Sequence, residues 1–449
     1  MFKQIWNIFK QIRPTERFYW VIFLLILFFI LAFSVKVLYE PVFVVLWLVV
    51  VLCVVDGYVL LKHRQPINAW RVPKHQRLSN GDLNDLTLHV QNQFMFKVFL
   101  SIIDELPFQF QQRRFNISTE LNSEETKQFQ YQLTPKVRGE YHFGIINIFI
   151  STPLRLIERH AKIEAPFMMQ CYPSFLRLRQ FELMAITNRL TDIGIKRIRK
   201  VGNSTEFEQI KEYVSGDDIR TINWKATARR NQLMVNHYRD ERSQHVYCLI
   251  DMGRVMKMPF DGLTLLDYSI NASLVIDHVA WIKQDKPGVI GFSDQINFKV
   301  KADNRGDQLL RIQQALYNAG TQFNESSYEN LFSHVRQKIT QRSLLLLFSN
   351  FETVGALKRQ MKYLRKMATQ HVLVVIFFEN TELKDLLEAK PSSTFDIYEQ
   401  TIAQKFDYEK RQITKELQQY GILSVYTTPE KLTINALNKY LEIKTRGLI

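Results

Sequence analysis

The stretch from Glu212 to Glu241, EYVSGDDIRTINWKATARRNQLMVNHYRDE, packs acids, arginines, a glycine and a tryptophan too densely for an ordinary loop. Two kinds of chemistry fit it. As a catalytic cluster, Asp217 and Asp218 would hold a metal or act as acid and base. Arg220, Arg229 and Arg230 would then bind phosphate, and His237 would shuttle protons. As a clamp, SGDD makes a turn whose carboxylates accept hydrogen bonds from backbone N–H groups or from two-point guanidinium contacts. Trp224 then buries a large apolar face and needs one acceptor, and INWKATARR is a short helical segment locked against the strand that follows. No nucleophile–base pair and no HExxH spacing is present, and adjacent carboxylates usually point apart. The clamp is therefore the preferred reading, fastening one domain to the next and leaving exposed arginines for a partner.

What positions this stretch follows from the rest of the chain. The 449 residues carry a net charge of +15, which favours nucleic acid or an anionic membrane surface as partner. The N-terminus selects the membrane. Phe18–Val35 is uncharged, and Pro41–Val55 is uncharged and extends to Leu61, each long enough to span a bilayer. Asp56 is expected near a membrane face, its carboxylate reaching water or Lys62 and Arg64. A cleaved signal peptide is not expected, because the first run is too long, lacks a small-residue cleavage site and is followed at once by a second span. Lys3, Lys10, Arg13 and Arg17 precede the first span, and Lys62, Arg64, Arg71, Lys74 and Arg77 follow the second. The positive-inside rule puts both flanks in the cytoplasm, with a small outer turn and everything after Leu61 cytosolic. The basic run Lys196–Lys200 is a solvated face or a contact with anionic lipid. It lacks the aromatic platforms of a single-strand binder, so nucleic acid is not the expected partner. Cys53, Cys171 and Cys248 show no metal or redox spacing.

From about 79 to 170, short alternating runs separated by turn signals predict an antiparallel β-sandwich, with Arg138–Gly144 as a hairpin and FQFQQRRFNIST as one strand. From 176 to 244 the chain reads as polar and irregular. From 245 onward, strands apolar on both faces alternate with helices, which predicts a doubly wound, mainly parallel α/β domain. Sites in such a domain lie outside the carboxyl ends of the strands. The groups there are Asp251, Ser293, Asp294, Asn350, Glu379 and Asn380. No glycine-rich phosphate loop follows any strand.

The sequence LID at the end of the first of these strands, then VIGFSD and LLFSN, resembles the von Willebrand factor A fold. The opening stretch is similar to the core motif of a bacterial membrane-anchored family, domain of unknown function fifty-eight. Glu212, Tyr213, Gly216, Asp217, Asp218, Arg220, Ile222, Trp224, Ala228 and Arg229 match that motif. Lys211 stands for its arginine, Asn223 for its aspartate and Thr227 for its serine. The resemblance implies a cytosolic N-terminus (1–17), two transmembrane helices (18–61, about 18–36 and 40–61), a β-sandwich (62–175), a connecting segment with the motif (176–244) and an A-like domain (245–449). It implies a bacterial inner (cytoplasmic) membrane location and a MoxR-type AAA+ ATPase as partner. It also implies Mg²⁺ held by Asp-x-Ser-x-Ser, a threonine and a later aspartate. Asp251 stands here, but Gly253 and Val255 replace the two serines, Asn350 replaces the aspartate, and Ser326 and Ser327 are the nearest hydroxyls to the missing threonine. The site reads as degenerate, with no cofactor expected. The function expected is a non-enzymatic, membrane-anchored interaction module. The alternative is a membrane-tethered phosphate-ester hydrolase using Asp217, Asp218 and nearby arginines.

Overall fold

The computed structural model describes residues 11–448 apart from 63–66, 113–114, 177, 179–205, 216, 218, 240–242 and 381–392. The chain forms two compact units, Met1–Tyr172 and Pro173–Ile449.

The first unit begins with strand β1 (Ile12–Pro14) and two apolar helices, α1 (Glu16–Ser34) and α2 (Tyr39–Leu61). Both are long and apolar enough to cross a membrane. They touch along a narrow seam that buries Leu25, Ala32 and Val42, while Trp20, Phe33 and Trp47 stay exposed. Apolar surface on that scale on a helix pair is expensive in water and suits lipid.

Ten strands follow: β2 (Ile67–Pro73), β3 (Leu78–Ser79), β4 (Asn84–Asn92), β5 (Val98–Asp104), β6 (Asn116–Leu121), β7 (Thr126–Leu133), β8 (Gly139–Phe143), β9 (Ile146–Ser151), β10 (Ile157–Ile163) and β11 (Phe167–Tyr172). They form three sheets in the orders β1-β10-β9-β5-β6, β2-β4-β7 and β3-β11-β8. Alternate residues of β4 and β5 point into one shared core, the period-two pattern of strands with one buried face. At its centre the Arg71 guanidinium donates to Asp104 and to the carbonyls of Ala165 (2.7 Å) and Gly144 (2.9 Å), and the Tyr131 hydroxyl donates to Asp104 at 2.6 Å. Burial first, then the Asp104 carboxylate, pushes the Tyr131 phenol well above its ordinary range. Arg71 is thus an internal ion, not part of a free basic flank, and Arg77 lies over the Tyr172 ring at 4.4 Å.

Three expectations are corrected here. Arg138–Gly144 is no hairpin: β8 pairs with β11, while β9 pairs with β5 and β10. The chain changes sheets at Gly144, whose N–H donates to the Glu105 carbonyl at 2.9 Å. A side chain at Gly144 would meet the Glu105 carboxylate at 2.7 Å, so glycine is what lets the crossover pass there. The run beginning at Phe108 is not one strand, because Phe108–Phe110 is a 3₁₀ turn ahead of β6. Asp56 does not reach toward water. It is 1% exposed and accepts hydrogen bonds from the Thr152 hydroxyl and from the Ile157 N–H at 3.0 Å. Nearby, Arg159 donates to the Leu60 carbonyl at 2.7 Å, near the end of α2.

The second unit opens with an antiparallel ribbon, β12 (Glu206–Glu212) and β13 (Met234–Arg239), with helix α3 (Trp224–Arg230) between them. So the segment expected to be irregular is partly ordered. The α/β body follows. Its strands are β14 (His245–Asp251), β17 (Lys286–Phe292), β18 (Ile296–Val300), β19 (Leu344–Phe348), β20 (Val372–Phe378) and β21 (Leu423–Thr427). A short ribbon, β15 (Pro259–Phe260) and β16 (Leu263–Thr264), precedes α4 (Leu265–Ile282). The six-stranded sheet runs β18-β17-β14-β19-β20-β21, parallel except for the antiparallel edge β18. Helices α4, α5 (Gln308–Tyr317) and α9 (Leu432–Thr445) cover one face. Helices α6 (Tyr328–Lys338), α7 (Val354–Gln370) and α8 (Thr394–Gln419) cover the other. With both faces covered, Leu344–Phe348 is buried at every position. The mixed α/β class with a mainly parallel sheet, expected from the sequence, is what the unit has.

Candidate functional site

In the β12–α3–β13 segment one of the groups that looked catalytic, Asp217, helps hold the local shape. Asp217 accepts from the Lys211 ammonium at 3.0 Å and from the Val214 N–H at 3.1 Å, closing the turn after β12. The backbone N–H partner is one of the two expected for the turn, and the Lys211 ammonium joins it. Asn223 caps α3 by accepting from the Ala226 N–H at 3.0 Å, and its amide donates to Asn236 at 2.8 Å. Thr227 accepts from the Met234 N–H at 3.0 Å, and the Asn223 N–H donates to the Met234 carbonyl at 2.8 Å. The three residues that depart from the family motif, Lys211, Asn223 and Thr227, therefore each make a local bond. Tyr213 donates its N–H to the Leu233 carbonyl at 2.8 Å, and Ile222 bridges to Val235.

Trp224 overturns the expectation of burial. It is 70% exposed, because α3 turns Ala226 and Thr227 toward β13 and leaves Trp224, Lys225, Ala228, Arg229 and Arg230 outward. Glu212 is exposed as well. Gly216, Asp218 and the basic run Lys196–Lys200 lie outside the described residues, as do the side chains of Arg220 and His237.

At the carboxyl ends of the parallel strands, Asp251 is fully buried. One carboxylate oxygen accepts from the Gly253 N–H at 2.9 Å and from the Ser326 hydroxyl. The other accepts from the Ser349 hydroxyl at 2.6 Å, and the Tyr328 hydroxyl closes that side, 2.7 Å from Ser349 and 3.3 Å from Asp251. Burial raises the Asp251 pKa and these hydrogen bonds hold it back. Burial, then the Asp251 charge, raises the Tyr328 phenol well above its ordinary range.

The missing serines are explained by packing. A Cβ at Gly253 would lie 1.9 Å from the Ser326 oxygen, so Ser326 occupies the space a side chain at 253 would need. Val255 packs against the core of the sheet. Asn350 accepts from the Lys410 ammonium at 2.7 Å. The residues present do not fit Mg²⁺: Gly253 and Val255 offer no side-chain oxygen, and Asn350 already faces a cation. Among the described residues no cluster of three or more His, Cys, Asp or Glu could hold a metal ion. Ser293 and Asp294 border this rim, the Ser293 carbonyl accepting from the Ser327 N–H at 2.8 Å. The Ser293 hydroxyl is 2.8 Å from Asp294 and 2.9 Å from Asn297, in a shallow polar depression that also includes Thr321 and Asn324.

Lys410, which the sequence reading did not single out, also lies at this face. A cavity of about 510 Å³ is lined by Phe260, Leu265, Asn350, Phe378, Phe406, Lys410 and Tyr426, with Glu352, Glu379, Asp407 and Arg411 also on its walls. Burial lowers the Lys410 pKa to about 8, with Glu352 opposing. Burial, then Glu379, raises the Tyr426 phenol. A sequence signal for Lys410 exists: Ala403, Phe406, Lys410, Ile413 and Leu417 form one helical stripe, and a lysine on such a stripe is unusual.

The motif, its ribbon and the sheet that follows agree with one comparison. Residues 209–411 match the family model "Protein of unknown function DUF58". The DUF58 match takes in the β13 strand, the Asp251 rim and α8 as far as Arg411. The Uncharacterized protein YeaD of Bacillus subtilis (strain 168) is 28% identical over 123 residues, which is 27% of this chain. The match spans 30% of YeaD's own length. Among solved structures, the SpRpn10 VWA domain aligns at 13% identity over 44% of this chain and 95% of its own, with a TM-score of 0.28. The CARDB domain of a Pyrococcus furiosus protein aligns at 15% identity over 24% of this chain and 93% of its own, with a TM-score of 0.18.

Proposed function

We propose that this chain is a non-enzymatic protein-interaction module anchored in the bacterial cytoplasmic membrane. In this reading its second unit is A-like, its first unit is a helical hairpin followed by a β-sandwich, and the strand-end face of the A-like unit docks a partner. The observation that carries the reading is the state of Asp251. Its carboxylate, the acid that remains of the ligand set the resemblance implies, is fully buried and engaged by Gly253, Ser326 and Ser349. Such a group supports a shaped surface better than metal or acid–base chemistry. The hydrolase reading is weakened in the same way, since Asp217 is tied to Lys211 and Val214.

The hairpin topology has its own support. Strand β1, before the first apolar helix, pairs with β10, after the second, in the register Ile12↔Arg159. Two spans with both flanks on one face satisfy that pairing, and the basic flanks favour the cytoplasm for that face. The partner, a MoxR-type AAA+ ATPase, rests on the family resemblance, and the role is that of an adaptor in assembly or maturation of envelope complexes. The test is affinity purification of the full chain from native membranes in gentle detergent. A MoxR-type ATPase recovered in proportion to the bait supports the proposal. Its repeated absence, or phosphate-ester turnover by the purified chain, contradicts it.

A further inference from the structure

We propose that the cavity over the carboxyl ends of β19, β20 and β21 binds a small monocarboxylate with an apolar body, its carboxylate taken by the Lys410 ammonium. This goes beyond the docking reading and stands or falls separately from it. Lys410 is 8% exposed and lines the cavity. An ammonium has three donor positions, and among the described residues Lys410 makes one hydrogen bond, to the neutral Asn350 amide at 2.7 Å. The Phe377 ring lies 5.9 Å from the ammonium and the Glu352 charge acts on it, but neither gives its remaining donor positions the directly bonded anionic acceptor that makes such burial tolerable. A ligand carboxylate at the free donor positions would supply it.

The rest of the cavity fixes the ligand's other properties. Phe260, Leu265, Phe378, Phe406 and Tyr426 give it apolar walls, and its volume of about 510 Å³ lies within the ordinary range for small-molecule sites. The second cation, Arg411, is already paired with Asp407 at 2.8 Å. Glu352 and Glu379 line the walls without a cation beside them in any ion pair among the described residues. One available positive charge flanked by two carboxylates favours a single negative charge over the dianion of a phosphate monoester.

The test is isothermal titration of the full chain, in a neutral maltoside detergent near pH 7, with 3-phenylpropionate and with its uncharged isostere 3-phenylpropanamide. The acid is expected to bind at least tenfold more tightly than the amide. In Lys410→Met, whose side chain matches the lysine stem, that preference should vanish. In Asn350→Asp, which gives the ammonium a fixed counter-charge, affinity for the acid should fall at least tenfold while that for the amide is kept. This second variant carries the test if the first fails to fold. No binding of 3-phenylpropionate at millimolar concentration, equal affinities for acid and amide, or an acid preference that survives both substitutions would overturn the proposal.

Discussion

Restoring a serine at position 253 probes the rim most sharply. In Gly253→Ser the new Cβ would sit 1.9 Å from the Ser326 oxygen, 2.9 Å from the Asn324 carbonyl and 3.1 Å from Asp251. Non-bonded atoms of this kind settle at about 3.5 Å, so the Ser326 hydroxyl must retreat by roughly 1.5 Å and give up Asp251. Losing a hydrogen bond to a buried carboxylate costs about 1.5–3 kcal/mol, and overpacking a tight site costs about 1–3 kcal/mol. Part of this is recovered if the new hydroxyl reaches Asp251, so the expected net loss is about 2–4 kcal/mol. For a unit of this size that lowers Tm by roughly 5–15 °C. The assay is thermal unfolding of the detergent-solubilised full chain, followed by near-ultraviolet circular dichroism. Ser326→Ala alone should also destabilise, whereas the double variant Gly253→Ser/Ser326→Ala should be more stable than the sum of the singles by about 1–3 kcal/mol. An unchanged Tm for Gly253→Ser, or additive singles, would show that Ser326 does not fill the serine's place.

Other outcomes follow from the same geometry. Arg71→Ala strips the buried partner from Asp104 and should cost about 3–5 kcal/mol, read as loss of the folded first unit in chemical denaturation. Asp56→Leu leaves the Thr152 hydroxyl and Ile157 N–H without their acceptor, a loss of about 1–3 kcal/mol. It should speed protease cleavage between 152 and 157, and wild-type cleavage rates would refute the tie to α2. The pKa of Lys410 is about 8 when folded against an ordinary value of about 10.4, so the folded state binds that proton less tightly. The burial cost is full below about pH 8 and disappears as pH rises toward 10.4. Stability of the wild type relative to Lys410→Met should therefore climb by about 3 kcal/mol across that window, measured as paired urea midpoints. Asp217→Asn weakens a partly exposed ion pair and keeps an acceptor for Val214, so it should cost under about 1 kcal/mol and raise amide exchange only around 211–217.

The parallel sheet was legible because its strands are apolar on both faces and its helices carry clear stripes, so β14, β19 and β20 stand where periodicity put them. The β region was harder. Which strand pairs with which is set by contacts distant in sequence, and Gly144 looks like a hairpin turn until Glu105 is seen beside it. Trp224 misled because size argues for burial, whereas a seven-residue helix has one inward face, and small residues already occupy it. Asp56 was read from its neighbours in the chain, yet its partners are about a hundred residues away. At the rim, the absence of serines at 253 and 255 could be read directly. That Ser326 fills the gap, and that Lys410 meets Asn350, needed the fold that joins them.

The docking account is tested most directly by a photo-crosslinking residue at Gln295, an exposed position on the strand-end side of the second unit, in the full chain in native membranes. The expected result is one discrete adduct containing a MoxR-type AAA+ ATPase, absent when the same residue is placed at exposed Glu124 in the first unit. Adducts only with lipid or with the chain itself, or equal capture of the ATPase from both positions, would contradict it.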